Sequence, residues 1–147
     1  MPDGVMNWRI INTKLAGFEK HKTIEFDYSF PNGVYKGNVP YSGTSRVAYL
    51  PASDEGTAVF KMMVQAFQRK LSFMVGTSLT TGAQNTVVWS GIHHKTSTHG
   101  GPFGYPDNRY LSAVTEEFKI RGVDANTVKD LKINIKKGQI VIKNGVI

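Results

Sequence analysis

Hydrophobic and polar residues alternate along the first third of the chain, which is the pattern of half-buried β-strands. In Lys22–Phe30 every second side chain is apolar, which predicts one buried face. That face consists of Ile24, Phe26, Tyr28 and Phe30. Val5–Asn12 predicts a preceding strand, and the sequence Pro-Asn-Gly at 31–33 predicts a turn after the second one. The first third is therefore predicted to be an antiparallel meander.

Two later segments carry apolar residues at spacings of three and four, which predicts amphipathic helices. The first is expected to begin after an N-cap at Ser53 and to run to about Lys70. The second is expected to be capped by Asp107 or Asn108 and to end at Gly122, because glycine readily takes the left-handed conformation that stops a helix.

Short strands and loops are predicted around the helices. Tyr35–Arg46 is rich in Gly, Pro and Ser and predicts a loop, followed by a short strand at Val47–Leu50. The apolar runs Ser72–Ser78 and Thr86–Trp89 predict two more strands. Thr96–Asn108 is rich in Gly and Pro and predicts a long loop before the second helix.

The C-terminal segment alternates again. Leu131–Ile147 predicts a basic β-hairpin that turns at Lys137 and Gly138. Strands and helices are mixed without a regular βαβ order, which predicts an α+β fold with a mixed, mainly antiparallel sheet and two principal helices. Residues 1–123 are expected to form the main domain, and residues 124–147 a basic extension packed on it.

Composition narrows the possible functions. The chain has 147 residues, of which 40% are hydrophobic, so it can form one domain with one core. It has no cysteine, which excludes disulfides, thiolate catalysis and a zinc-built RING within these residues. No signal peptide and no apolar run near the roughly 20 residues of a membrane helix is visible. A soluble, intracellular protein of the cytoplasm or nucleus is therefore expected, without a membrane partner.

Charge is uneven along the chain. The net charge is +7, and residues 119–147 contain seven Lys or Arg against two Asp. The C-terminal part thus holds most of the positive charge, which favours phosphate-bearing or polyanionic partners.

Residues 76–82 (GTSLTTG) combine glycines with hydroxyl side chains at the end of a predicted strand. Such a segment lets backbone N–H groups and hydroxyls approach phosphate oxygens. It is not a Walker motif, because the Lys-Ser/Thr ending is missing. An ordinary connection between two strands explains the same pattern.

The adjacent histidines His93 and His94 are candidates for binding chemistry. On an extended segment they point to opposite faces, so they cannot easily ligate one metal. A zinc site that pairs one of them with His99 lacks supporting Asp or Cys residues. One histidine is expected to hydrogen-bond in the core, and the other is free to contact a ribose hydroxyl in a pocket.

Two carboxylates lie on the second predicted helix. Glu117 is next to the buried stripe, whereas Glu116 lies further round toward solvent. A carboxylate at the edge of a core is either solvated or ion-paired, or it acts as a general base with a raised pKa. The pattern alone leaves both interpretations open.

Several short motifs occur in a fixed order along the chain. They are PDGVM at 2–6, RVAYLP at 46–51, VGTS at 75–78, VW at 88–89, IHHKT at 92–96 and GYPD at 104–107. Together they resemble the C-terminal domain of the Deltex family of RING ubiquitin ligases, over roughly residues 2–123. The resemblance implies an α+β domain that binds NAD and ADP-ribose near the IHHKT segment.

The resemblance also implies roles for individual residues. Glu117 takes the position of the family's catalytic glutamate, and His93 that of its pocket histidine. The remaining residues expected to contact ADP-ribose or NAD are Gly76, Thr77, Ser78, Thr80, Trp89, His94, Lys95, Thr96, Phe103 and Tyr105. Phe103 stands where the family commonly has Tyr or His. A phenylalanine can stack on a base but cannot hydrogen-bond a ribose hydroxyl.

In the resembled family, the RING and this domain together join ubiquitin to ADP-ribose, either free or carried on a protein or nucleic acid. The chain alone is expected to be inactive, because E2 and ubiquitin are reached only through a RING. A RING-less ADP-ribose reader is one alternative, and a basic nucleic-acid-binding domain is another. A free-standing hydrolase using His93 and Glu117 would lack an evident nucleophile. No metal cofactor is expected.

Overall fold

The computed structural model describes residues 1–35, 38–79 and 81–144, without the side chain of Tyr35. Within this part, eight strands and three helices follow one another along the chain. In order they are β1 Gly4–Ile11, β2 Thr23–Phe30, β3 Gly33–Tyr35, β4 Val39–Tyr41, β5 Thr44–Pro51, α1 Asp54–Gln68, β6 Phe73–Gly76, β7 Thr86–Trp89, α2 Tyr110–Ile120, α3 Ala125–Val128 and β8 Lys137–Ile142. The predicted α+β class and the two principal helices are confirmed.

The central sheet has four antiparallel strands in the order β5-β2-β1-β8. The predicted meander of the first two strands is confirmed, with β1 and β2 paired from Val5–Ser29 to Ile11–Thr23. The apolar face of β2 is buried as the alternation predicts: Ile24, Phe26, Tyr28 and Phe30 are each at most 3% exposed. The strands β6 and β7 form a separate antiparallel pair.

Helix α1 covers the apolar face of the central sheet. It begins where predicted, because the hydroxyl of Ser53 accepts a hydrogen bond from the amide of Gly56. The ring of Phe60 packs edge-on against Trp8 and Phe26, with centroids 5.4 and 5.3 Å away. Truncation of such a buried ring to alanine typically costs about 3–5 kcal/mol. No helix in the described residues is both long and apolar enough to cross a membrane.

The beginning of α2 differs from the prediction, whereas its end agrees with it. The helix starts at Tyr110 after Arg109, which makes no side-chain cap hydrogen bond. The predicted cap Asp107 lies further upstream, where its Oδ1 accepts from the amide of Arg109 and its Oδ2 from Lys95. At the other end, Gly122 has φ +77° and is the residue after the C-cap in a Schellman arrangement.

The predicted C-terminal hairpin is wrong. Lys137 and Gly138 lie inside a single strand, β8, which pairs with β1 at the edge of the central sheet. The sequence suggests a turn because Lys-Gly resembles one. The structural reason for Gly138 is different, since a Cβ there would lie 2.2 Å from the ring of Trp8. Residues 145–147 of the predicted hairpin lie outside the described part.

The predicted loop Tyr35–Arg46 is also partly wrong. It contains β4 and the first residues of β5, which begins at Thr44 rather than Val47. Gly43 makes this segment look like a loop, but a glycine is needed here because the backbone after β2 passes very close to it. A Cβ at Gly43 would lie 1.9 Å from the carbonyl oxygen of Phe30.

Candidate functional site

The segment that follows β7 carries the two histidines, and their side chains have different surroundings. His94 is 4% exposed and its ring lies 4.4 Å from that of Trp89. Its Nδ1 is 2.8 Å from the carbonyl oxygen of Ile92, so Nδ1 carries the proton and Nε2 accepts from the hydroxyl of Tyr28 at 2.8 Å. Burial lowers the pKa of His94 to about 4, which keeps the ring neutral.

His94 is therefore the structural histidine of the pair, as expected for one of the two. Both of its ring nitrogens are used inside the protein. Trp89, another residue expected at the pocket, stacks on Phe73 with ring centroids 4.5 Å apart and so forms part of the same aromatic cluster.

His93 is half-buried, and its backbone is held on both sides. Its amide donates to Oε1 of Glu117 at 2.7 Å, and its carbonyl accepts from the hydroxyl of Tyr110 at 2.6 Å. Its ring packs edge-on against Tyr110 at 5.3 Å and Phe103 at 6.3 Å. Within the described part of the chain, no residue hydrogen-bonds the ring nitrogens of His93, so both can take a ligand.

The two glutamates of α2 point in different directions, as predicted. Glu116 has a side chain 69% exposed and forms an ion pair with Lys119 at 3.3 Å. Glu117 is half-buried and turned toward the His93 segment. The helix register predicted from the apolar stripe is therefore confirmed.

Arg121 also connects helix α2 to the segment before His93, and this role was not identified from the sequence. Its guanidinium donates to the carbonyl of Glu117 and to that of Ser90, both at 3.3 Å. It thereby joins the end of α2 to the segment that leads to His93. The signal for it was its position four residues after Glu117, on the same side of the helix.

The loop at 96–108 is fastened by residues expected to contact a ligand. Lys95 is 2% exposed, and its Nζ donates to Asp107 at 2.8 Å and to the carbonyl of Pro102 at 3.0 Å. The Lys95 ammonium lowers the pKa of the Asp107 carboxyl. Tyr105 is buried and donates to the carbonyl of Tyr49 at 2.8 Å. The polar groups of Lys95 and Tyr105 thus form hydrogen bonds to other residues of the same chain.

Phe103 lies at the surface of the same loop. Its side chain is 58% exposed, beside the ring of His93. Thr96 is half-buried and follows Lys95. His93, Glu117 and Phe103 are therefore brought together by the chain after β7, helix α2 and the loop between them.

The segment at 76–78 lies at the opposite end of the β6–β7 pair. Gly76 pairs with Thr86, whereas Phe73 pairs with Trp89, next to the histidine segment. Three residues of strand correspond to about 10 Å. Ser78 closes a tight turn, in which its amide donates to the carbonyl of Ala83 and its Oγ accepts from the amide of Thr81. Thr77 is exposed, and Thr80 lies outside the described residues.

Two open depressions lie elsewhere on the surface. One of about 540 Å³ is on the outer face of the central sheet, and one of about 570 Å³ is between the N-terminus, β4 and β6. Neither is lined by His93, Glu117 or Phe103. The described residues also contain no group of three or more His, Cys, Asp or Glu that could hold a metal ion.

Comparison with known proteins identifies the family of the chain. The sequence model of the family described as Deltex C-terminal domain matches residues 1–123. The chain belongs to this family. This Deltex C-terminal domain is 47% identical over 116 residues to the human protein named probable E3 ubiquitin-protein ligase DTX3, covering 74% of the chain and 33% of that protein. It is 40% identical over 131 residues to E3 ubiquitin-protein ligase DTX1 of Xenopus laevis, covering 83% of the chain and 21% of that protein.

The family resemblance read from the motifs is thereby confirmed. The chain spans a third or less of the length of these relatives, which are named as ubiquitin ligases. Its last strand, β8, lies beyond the residues that the family model matches.

Proposed function

We propose that this domain binds ADP-ribose, with NAD as a second ligand, and positions it for transfer of ubiquitin to a ribose hydroxyl when a RING is supplied. The ligand is either free ADP-ribose or an ADP-ribosyl group on a protein or nucleic acid. E2 and ubiquitin would be reached only through the RING. The observation that supports this most is the hydrogen bond of 2.7 Å from the backbone amide of His93 to Glu117. It places a carboxylate beside the residue that carries the accessible imidazole.

The two side chains have complementary chemistry for this transfer. Attack of a ribose hydroxyl on the carbonyl carbon of a ubiquitin thioester forms a C–O bond and breaks the C–S bond to the E2 cysteine. The hydroxyl is a poor acid, so its proton must be removed as the bond forms. A carboxylate has two oxygens, and only Oε1 of Glu117 binds the His93 amide. The second oxygen is the proposed base, a role typically worth about 10²–10⁴-fold in rate.

His93 is the proposed orienting residue. The ring nitrogens have no partner among the described residues, so a neutral imidazole there can donate to one ribose oxygen and accept from another. Its position is fixed by the two hydrogen bonds of its backbone, to Glu117 and Tyr110. Binding to a fixed imidazole costs less ordering than binding to a mobile one.

Phe103 and the turn at 76–78 supply the remaining contacts. The exposed ring of Phe103 lies beside His93 and offers a face for stacking on nicotinamide or adenine. Gly76, where the segment that leads to this turn begins, lies about 10 Å along the β6–β7 pair from Phe73, by the rise of three strand residues. An elongated ligand that carries a sugar at one end and phosphates in the middle suits this spacing.

Calorimetry with ADP-ribose tests the proposal. We expect micromolar affinity, roughly −7 to −8 kcal/mol. His93→Ala should abolish the heat of ADP-ribose binding. His21→Ala, which changes an exposed histidine before β2, should leave that heat unchanged. Absence of heat and of a thermal shift with millimolar ADP-ribose and NAD would refute ligand binding.

The catalytic half of the proposal needs a separate assay. The domain fused behind a RING of the family should form ubiquitin–ADP-ribose in a reaction with E1, E2 and ubiquitin, and the isolated domain should not. Binding without transfer by the fused protein would indicate an ADP-ribose reader instead of a transferase domain.

A further inference from the structure

The central sheet has two edges, and within the described residues only one of them is covered. At the β5 edge, the amide of Tyr49 donates to the carbonyl of Lys95 at 2.9 Å, and the carbonyl of Tyr49 accepts from Tyr105 at 2.8 Å. Strand β8 forms the other edge. No described segment of the chain pairs with its outer side.

The register identifies which backbone groups are open there. The amide of Ile10 donates to the carbonyl of Lys136 at 3.1 Å, in line with the pairing of β1 and β8. Hydrogen-bonded and non-hydrogen-bonded pairs alternate in an antiparallel ladder. Gly138 and Ile140 therefore bond to β1. The N–H and C=O groups of Lys137, Gln139 and Val141 point away from the sheet.

This edge is held in place at both ends and in the middle. Before the strand, the indole of Trp8 donates to the carbonyl of Asn134 at 2.7 Å. After it, the amide of Asn144 donates to Asp3 at 2.6 Å. The side chain of Gln139 donates to Asn7 at 2.7 Å. A strand fixed in this way loses little conformational entropy when another strand pairs with it.

The charged side chains of the edge segment itself have one sign, and the carboxylate of Asp3 lies at its C-terminal end. Lys136, Lys137 and Lys143 are all exposed, and residues 131–147 contain no Asp or Glu. Val141 is 50% exposed and adds an apolar position on the same face as Lys137. A complementary strand would therefore carry carboxylates opposite the lysines and an apolar side chain near Val141.

Nucleic acid fits this edge less well than a peptide. Residues 124–147 contain no aromatic side chain, so no surface for base stacking is available on this segment. The open carbonyl groups of the edge need hydrogen-bond donors, which a peptide backbone supplies and a phosphate backbone does not.

We propose that the outer edge of β8 binds an extended acidic segment of a partner protein by strand addition. Backbone hydrogen bonds to Lys137, Gln139 and Val141 give affinity, and the lysines select acidic sequences. Edge lysines also serve to prevent pairing with other chains. If the lysines only prevent pairing, no strand should bind at this edge. If they select a partner, an acidic strand should bind.

The probe is an acetylated and amidated heptapeptide of alternating glutamate and valine, titrated into the isotope-labelled domain. We expect saturable binding and slower hydrogen exchange of the amides of Gln139 and Val141. An alternating lysine and valine peptide should not bind. Binding of both peptides, or binding without protection of these two amides, overturns the proposal. Failure of the acidic peptide to bind also overturns it: binding of a single-stranded oligonucleotide at β8 instead would indicate a nucleic-acid site, and binding of neither would indicate the protective role.

Two variants test the contacts separately. Lys137→Glu with Lys143→Glu should weaken binding of the acidic peptide by about tenfold or more, because like charges then face each other. Lys20→Glu with Lys22→Glu changes the net charge equally at exposed positions before β2 and should have little effect. Gln139→Pro removes an outward N–H and the side-chain bond to Asn7, while the backbone bonds to β1 stay in place. It should abolish binding in a domain that still melts cooperatively. Equal weakening by both charge variants would indicate nonspecific attraction and refute the site.

Discussion

The amide of His93 donates to the carboxylate of Glu117 at 2.7 Å, so the two residues proposed to handle the ribose are coupled through the backbone. This coupling makes glutamine the informative substitution at position 117. Glu117→Gln keeps an oxygen that accepts from His93 but cannot take a proton. In the RING fusion, we expect transfer to ADP-ribose to fall about 10²–10⁴-fold, with ADP-ribose affinity changed only a few fold.

Glu117→Ala removes the acceptor as well as the base. We expect it to lose transfer to the same extent and also to weaken ADP-ribose binding, because the His93 segment is then held less firmly. Glu116→Ala, at the exposed neighbouring position, should change neither. Calorimetry and single-turnover transfer measure the two effects. Full transfer by Glu117→Gln would show that Glu117 is not the base.

The neutral, buried His94 should make the stability of the domain depend on pH. Its pKa is about 4 when folded, below the usual 6.5. The unfolded chain therefore binds more protons between these values, and stability is lost as pH falls from about 6.5 toward 4. From pH 7 to pH 5, this histidine should lower the free energy of unfolding by about 2 kcal/mol.

Urea unfolding at pH 7, 6 and 5 measures this loss. His94→Asn is expected to be less stable at pH 7, but its stability should fall less steeply with decreasing pH. His99→Asn, a change of an exposed histidine, should keep the slope of the unmodified domain. Identical slopes for all three proteins would contradict the assignment of a buried neutral His94.

The turn before His93 depends on Gly91, which has φ +88° and whose added Cβ would lie 2.4 Å from the guanidinium of Arg121. Gly91→Ala should lower the free energy of unfolding by more than the roughly 1–2 kcal/mol of left-handed strain. It should also displace Arg121 from Ser90 and weaken ADP-ribose binding. Gly100→Ala is the matched control, since Gly100 has φ +73° with nothing within 4 Å of an added Cβ. Equal effects of the two changes would show that Arg121 plays no part.

Much of the fold could be predicted because local patterns agree with the tertiary structure. The alternation in β2 gave its buried face, and Ser53 and Gly122 gave two helix ends. The errors in the strands occurred at glycines. Gly43 and Gly138 suggest loops or turns, yet each lies where another chain segment or a ring comes too close for a Cβ. Such contacts join residues distant in sequence, so no local pattern reveals them.

The candidate site was predictable to a similar extent. The different positions of Glu116 and Glu117 followed from helix periodicity. That one of the histidines His93 and His94 is accessible and the other buried followed from the alternation of side chains along an extended segment. Which histidine is buried depends on Tyr28, which lies 66 residues earlier in the chain. The internal role of Lys95 depends likewise on Asp107, across a loop whose course the sequence does not define.

The buried ammonium of Lys95 should make the loop at 96–108 sensitive to the loss of one carboxylate. Asp107→Asn keeps the acceptor for the amide of Arg109. Among the described residues, it leaves the buried ammonium of Lys95 with the carbonyl of Pro102 and the ring face of Tyr110. Removal of one partner of a buried ion pair typically costs about 3–5 kcal/mol. Asp107 is itself partly exposed, so we expect about 3 kcal/mol in the free energy of unfolding, measured by urea denaturation at pH 7.

The double variant Lys95→Met with Asp107→Asn separates charge from packing. Methionine fills much of the same volume without a charge, so the double variant should recover most of the stability lost by Asp107→Asn alone. Asp107→Asn alone should also weaken ADP-ribose binding, since Lys95 holds the loop that carries Phe103 through Pro102 and Asp107. In the double variant, ADP-ribose binding should recover together with the stability. If the double variant were stable but did not bind ADP-ribose, Lys95 would contact the ligand after all.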